Sequence, residues 1–292
     1  MLTPELIKKI KRIHIKSGRT VNTMMAGRFA SVYRGSGMEF EEVREYSPGD
    51  EIGSIDWKVT ARMGRPFVKL FREERELVIM LLVDMSASGL FGTTDSLKRE
   101  VAAEIASLLA FSAIKNNDKV GAILFTDRVE KYIPPKKGSS HVWRVIKEIV
   151  SFAPQYRGTN LGAAAEFLAK TSRKRGIAFI ISDFLAEGWL KPVKQAARRH
   201  DLAAVVVHDP GDFNLPEAGL LHFRDLETGR VRLIDCSDRR TREQFSSQRR
   251  AAHQQVLADL KSGKIDCIEL GTDGSSADAL ISFFRQRERR SR

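Results

Sequence analysis

Residues 77–88 read LVIMLLVDMSAS, an apolar run followed by acidic and hydroxyl residues. Its first seven residues are all apolar, which predicts a strand buried on both faces in the interior of an α/β sheet. The acidic residue Asp84 and the hydroxyl residues Ser86 and Ser88 then follow at alternate positions. Open α/β sheets bind ligands at the carboxyl ends of their strands, and carboxylate and hydroxyl oxygens are hard ligands for Mg²⁺. The stretch therefore predicts one part of a Mg²⁺ site.

Strands and helices alternate after residue 77, which predicts an α/β fold with a doubly wound, mostly parallel sheet over residues 77–292. The predicted strands cover residues 77–84, 119–125, 177–182, 203–207 and 265–270, with a short strand at 129–133 and a hairpin at 220–234. The predicted helices cover residues 96–115, 140–150, 161–171, 189–199, 239–261 and 275–285.

The preceding residues, 1–76, predict a separate small domain. Thr3 and Pro4 stand where a short basic amphipathic helix begins, and its narrow apolar stripe favours packing on the protein over lying on a membrane. Residues 26–76 are rich in glycine and contain strand patterns at 39–45 and 66–72, with a turn at 47–50. We expect a small β-rich module here.

The net charge of +12 is concentrated at the two ends of the 292-residue chain. Residues 1–37 hold eight Lys or Arg and one acidic residue, and residues 239–292 hold twelve and seven, so the rest is neutral. Basic ends are commonly solvated surface, but they also bind acidic partners, anionic lipid or nucleic acid. The alternative function is therefore a basic surface for nucleic acid or an anionic membrane.

Several classes of protein are disfavoured by the sequence. No apolar run approaches the roughly 20 residues that span a bilayer, and the charged N-terminus lacks a secretory pattern, so we expect a cytoplasmic protein. Cys236 and Cys267 are isolated and predict reduced thiols. The motifs GxSxG, GxxxxGK[ST] and HExxH do not occur, and Ser86 stands where a phosphoaspartate enzyme needs a second Asp. We expect no enzyme and no small-molecule substrate.

Two later loops extend the predicted metal site. Thr159 lies in a Gly-Thr-Asn loop just before the helix at 161–171, and Asp183 directly follows the strand at 177–182. In a parallel sheet these loops share one edge with Asp84. Each residue alone has a plainer interpretation as a turn or cap residue. The five residues together favour a metal site.

These five positions resemble the metal-ion-dependent adhesion site of the von Willebrand factor A domain. The resemblance implies that Ser86, Ser88 and Thr159 coordinate Mg²⁺ through their hydroxyls, partly by way of water. It also implies that Asp84 and Asp183 act mainly by hydrogen bonds to those ligands. One coordination position would remain for an acidic residue of a partner, and Mn²⁺ would also suit an octahedron of oxygens.

A second resemblance lies upstream, in the segments REYSPGD (44–50), IDW (55–57) and AR (61–62). They are similar to domain-of-unknown-function family 58, bacterial proteins associated with MoxR-type AAA+ ATPases. The two resemblances imply an Mg²⁺-dependent adaptor or co-chaperone whose partner is such an ATPase or a client with an acidic residue. The segments themselves predict structure only, with Trp57 in the core and Asp56 paired with Arg62 or Arg44.

Overall fold

The computed structural model describes residues 39–72 and 77–290. These residues fall into two compact units that divide between Leu77 and Val78. The predicted helix at the start of the chain lies outside the described residues. None of the helices within the two described ranges is both long enough and apolar enough to cross a membrane.

The smaller unit pairs two antiparallel strands and contains a short helix that the sequence interpretation missed. Asp56 begins this helix by accepting hydrogen bonds from two backbone N–H groups, and Gly64 ends it at φ 70°, a left-handed conformation that suits glycine. Trp57, expected in the core, is the first residue of this helix and is 68% exposed. The elements are β1 (Glu39–Glu45), α1 (Trp57–Met63) and β2 (Phe67–Arg72).

The expected ion pairs of Asp56 are also wrong. Its carboxylate caps α1 and lies 3.5 Å from the Nζ of Lys69, rather than pairing with Arg62 or Arg44. Arg44 instead forms a 2.7 Å ion pair with Asp50, which closes the predicted turn. The residue types indicated that Asp56 would form an ion pair. Because Asp56 caps α1, its neighbouring cation is Lys69.

The larger unit confirms the predicted α/β class. Its main sheet has six strands in the order β10–β7–β6–β3–β4–β5, and every neighbouring pair is parallel except β4 with β5. A separate hairpin, β8–β9, is inserted after β7. The elements are β3 (Val78–Asp84), α2 (Lys98–Lys115), β4 (Lys119–Phe125), β5 (Val129–Lys136), α3 (Ser139–Ser151), α4 (Leu161–Thr171), β6 (Ile177–Ser182), α5 (Leu190–Arg199), β7 (Asp201–His208), β8 (Leu220–Arg224), β9 (Val231–Asp235), α6 (Arg239–Ser262), β10 (Asp266–Gly271) and α7 (Ser276–Arg290).

The central strands are buried because helices cover both faces of the sheet. Met80 and Leu82 of β3 pack in a cluster with residues of α4, α5 and α6, and α2 contacts α3 and α7 in the other layer. Each fully buried aliphatic side chain of this kind contributes about 1.5–3 kcal/mol to folding. The sheet is therefore a rigid scaffold for the loops at its edge.

The carboxyl ends of the parallel strands lie side by side. Asp84 at the end of β3 is opposite Phe125 of β4, and Ser182 at the end of β6 is opposite Val206 of β7. This alignment brings the loops after β3 and β6 to one edge of the sheet, as the sequence predicted.

Candidate metal centre

Asp84 forms the buried base of the candidate site. One carboxylate oxygen accepts the backbone N–H of Ser86 at 2.9 Å, and the other accepts the hydroxyl of Ser182 at 2.5 Å. Burial and then the negative charge of Asp183 raise the pKa of Asp84 to about 7, although hydrogen bonds from Ser182 and Ser86 act in the opposite direction. Because both oxygens are engaged, Asp84 orients the loop that follows it.

The hydroxyl residues of two loops come together above Asp84. The hydroxyl oxygens of Ser86 and Ser88 are 3.0 Å apart and share a hydrogen bond. Between them, the backbone N–H of Ala87 donates to the carbonyl of Arg157 at 2.9 Å. This bond ties the loop after β3 to the loop that carries Thr159, so the three hydroxyl residues share one edge of the sheet.

Asp183 lies at the same edge and forms an ion pair with Lys98, a residue that the sequence analysis missed. Its carboxylate accepts a 2.9 Å hydrogen bond from the Nζ of Lys98, which also lies 3.3 Å from Asp212. The Lys98 side chain is only 4% exposed. Burial alone would lower the pKa of Lys98, but the carboxylates of Asp183 and Asp212 raise it above the ordinary value. The ammonium therefore remains charged inside the site.

Glu227, in the turn between β8 and β9, is a second residue that the sequence analysis missed. The Thr159 hydroxyl donates to its carboxylate at 2.7 Å. Burial raises the pKa of Glu227, the bond from Thr159 opposes that rise, and the charge of Asp183 adds to it. The β8–β9 hairpin thus places a carboxylate in contact with Thr159, one of the predicted metal ligands.

The assembled groups fit a hard divalent cation. The donor atoms are oxygens. The charge of Asp183 acts on both Asp84 and Glu227, and Lys98 offsets part of the charge of Asp183. Within the described chain, no three His, Cys, Asp or Glu side chains are grouped to hold a metal by themselves. A cation here would therefore need the hydroxyl groups as ligands.

Comparison with known proteins identifies the family. The chain matches the family described as protein of unknown function DUF58 over residues 42–255. It belongs to the DUF58 family. It is 30% identical to the uncharacterized protein Rv1480 of Mycobacterium tuberculosis over 289 residues, 98% of this chain and 91% of that protein. It is also 30% identical to the uncharacterized protein YeaD of Bacillus subtilis, over 51% of this chain and 35% of YeaD.

Solved structures similar to this DUF58 chain were also found. The conserved hypothetical protein BatB from Bacteroides thetaiotaomicron has 19% identity and a TM-score of 0.48, covering 73% of this chain and 99% of BatB. The SpRpn10 VWA domain has 13% identity and a TM-score of 0.40, covering 70% of this chain and 94% of that domain.

Asp209, just after β7, links several segments of the DUF58 chain by hydrogen bonds beside the candidate site. This fully buried carboxylate accepts hydrogen bonds from the backbone and hydroxyl of Thr93, the hydroxyl of Thr272 and the backbone of Gly211. Burial alone would raise the pKa of Asp209, but the bonds from Thr272 and Thr93 outweigh it and hold the pKa below its usual range. Asp209 therefore joins the ends of three segments.

Replacing Asp209 with Asn is expected to lower the free energy of unfolding by about 2–3 kcal/mol at pH 7, because the amide cannot accept all of these bonds. The loss should shrink below about pH 4, since a carboxylate with a lowered pKa stabilises the fold only while it is ionised. Urea unfolding at pH 7 and pH 3.5 measures both effects. Asp273→Asn, at an exposed position nearby, is the control. An Asp209→Asn effect that does not depend on pH would contradict the argument.

Proposed function

We propose that this protein is a non-enzymatic interaction module that uses a bound Mg²⁺ or Mn²⁺ ion to bind an acidic residue of a partner. The supporting observation is that the buried carboxylate of Asp84 holds the loop of Ser86 and Ser88, and that this loop is hydrogen-bonded to the loop that carries Thr159. Ser86, Ser88 and Thr159 would hold the metal, and Asp84 and Asp183 would orient them.

The chemistry follows from the types of ligand. Hydroxyl groups are neutral, so they leave most of the charge of a divalent cation available to another ligand. When bound, the metal would supply an electrophilic position that a partner carboxylate can occupy. Such an arrangement supports reversible binding, and we propose a role as adaptor or co-chaperone for a MoxR-type AAA+ ATPase or for its client. The cytoplasmic location stays a prediction.

Contacts of the C-terminal helix weigh against the alternative that basic ends are the functional surface. Arg287 of α7 contacts Asp201 at 2.8 Å and Asp266 at 3.0 Å, and Arg290 contacts Asp266 at 2.9 Å. These guanidinium groups are engaged in ion pairs within the domain, so they offer less free charge to an anionic ligand. The interactions therefore favour the metal centre over α7 as a binding surface.

A pulldown from cell lysate tests the proposed function. Wild-type protein and Ser86→Ala are each used as bait in Mg²⁺ and in EDTA, and captured proteins are identified by mass spectrometry. We expect a partner that is retained by wild type in Mg²⁺ and lost in the other three conditions. The variant removes a neutral hydroxyl ligand, so the expected change is in metal-dependent binding.

The matched control is Ser151→Ala, which removes an exposed hydroxyl at the end of α3. This variant should retain the same partner, and circular dichroism should show both variants folded. Equal capture of the same partners by wild type and Ser86→Ala, with or without EDTA, would contradict the proposal. Capture lost only at high salt would instead favour the basic surface.

A further inference from the structure

The turn between β8 and β9 presents Glu227 to the candidate metal centre without depending on the Glu227 side chain for its shape. The carboxylate of Asp225 accepts the backbone N–H groups of Glu227 and Thr228 at 2.9 and 3.0 Å. Gly229 follows with φ 71°, the left-handed conformation that closes the turn. The Glu227 side chain is therefore free to serve another purpose.

The contacts of Glu227 indicate that purpose. Its carboxylate accepts the hydroxyl of Thr159 at 2.7 Å and also interacts with the side chain of Ser88. These two hydroxyls belong to loops 71 positions apart in the sequence, and both are proposed metal ligands. The Glu227 carboxylate therefore lies next to hydroxyl groups of both loops.

We propose that Glu227 is an intramolecular carboxylate ligand of this metal centre, and that an acidic residue of a partner binds by displacing it. The inference rests on the proposed function, because it assumes that the hydroxyl groups hold a metal. It adds a ligand from outside the five-residue motif. It also makes the β8–β9 hairpin a lid that competes with the partner.

A cavity beside the turn offers space for a partner segment next to Glu227. It has a volume of about 600 Å³, and Ser88 and Glu227 are among the residues that line it. The apolar side chains of Phe91, Phe223 and Phe245 also line it. The combination suits a partner segment with an acidic residue next to an apolar one.

Binding of Mn²⁺ alone tests the role of Glu227. Proton relaxation of water reports how many exchangeable waters remain on the bound ion, and a titration gives its affinity. In Glu227→Gln and Glu227→Ala we expect about one additional water and roughly tenfold weaker Mn²⁺ binding. Acetate should displace that water in the variants, and it should have little effect in wild type because Glu227 occupies the position.

The controls separate this inference from the proposed function. Glu217→Gln changes an exposed carboxylate that pairs with Arg242 on the surface, and it should leave Mn²⁺ binding unchanged. If neither wild type nor Ser86→Ala binds Mn²⁺, the proposed metal function itself fails. If wild type binds Mn²⁺ and Ser86→Ala does not, but both Glu227 variants match wild type in affinity and water number, the role of Glu227 is overturned and the metal centre stands.

Discussion

Replacing Lys98 with Met is expected to lower the free energy of unfolding by about 3–5 kcal/mol in EDTA. The substitution keeps an unbranched side chain that is one atom shorter, and it removes the charge. Asp183 and Asp212, whose side chains are 6% and 11% exposed, would then lose their contacts with the ammonium. Urea unfolding measured by circular dichroism gives the difference directly.

The matched control is Lys131→Met, which removes the same charge from a pair with Glu148 at 2.6 Å. That pair is more exposed, so water screens it and the expected loss is less than about 1 kcal/mol. A second test adds Asp183→Asn to Lys98→Met, which should recover part of the stability because the unpaired charge is removed. Equal losses at Lys98 and Lys131 would contradict a special role for the buried pair.

The sequence predicted those parts of the site that follow from strand direction. Asp84 and Asp183 each come directly after an apolar run, and parallel strands bring such residues to one edge whatever the distance between them in the chain. The limits of β4 and β6 matched the prediction at both ends, whereas β7 (Asp201–His208) extends beyond the predicted 203–207 on both sides. Uninterrupted apolar runs leave few other ways to bury those side chains.

The position of Lys98 in the sequence was itself informative. Lys98 is the first residue of α2, where the positive end of the helix dipole disfavours a cation. Asp183 and Asp212 supply the compensating negative charge. The partners could not be named beforehand because they come from loops more than 80 residues further along the chain.

Glu227 left no comparable signal. Its hairpin was predicted from the turn residues, but a hairpin inserted between two units of an α/β sheet has no fixed direction relative to the edge. The contact with Thr159 depends on tertiary packing alone. Likewise, the exposure of Trp57 follows from a seven-residue helix, whose apolar pattern is too short to distinguish from a loop.

Replacing Thr159 with Val should weaken Mn²⁺ binding about 100-fold while leaving the fold intact. Valine has nearly the same shape but no hydroxyl, so it removes a proposed metal ligand and also the hydrogen bond to Glu227. Isothermal titration calorimetry measures the affinity. Thr159→Ser keeps the hydroxyl and should lose no more than a few-fold, which separates loss of the ligand from disturbance of the loop.

The double variant Thr159→Val with Glu227→Gln tests whether the two side chains act together. Because the two groups are in contact and are proposed to bind the same ion, their effects should not add, and the double variant should bind Mn²⁺ more tightly than the sum of the single losses predicts. Additive losses would mean that the two side chains act independently. Equal Mn²⁺ affinity in wild type and Thr159→Val would remove Thr159 from the metal centre, and its bond to Glu227 would then be a structural contact that fastens the hairpin to the sheet.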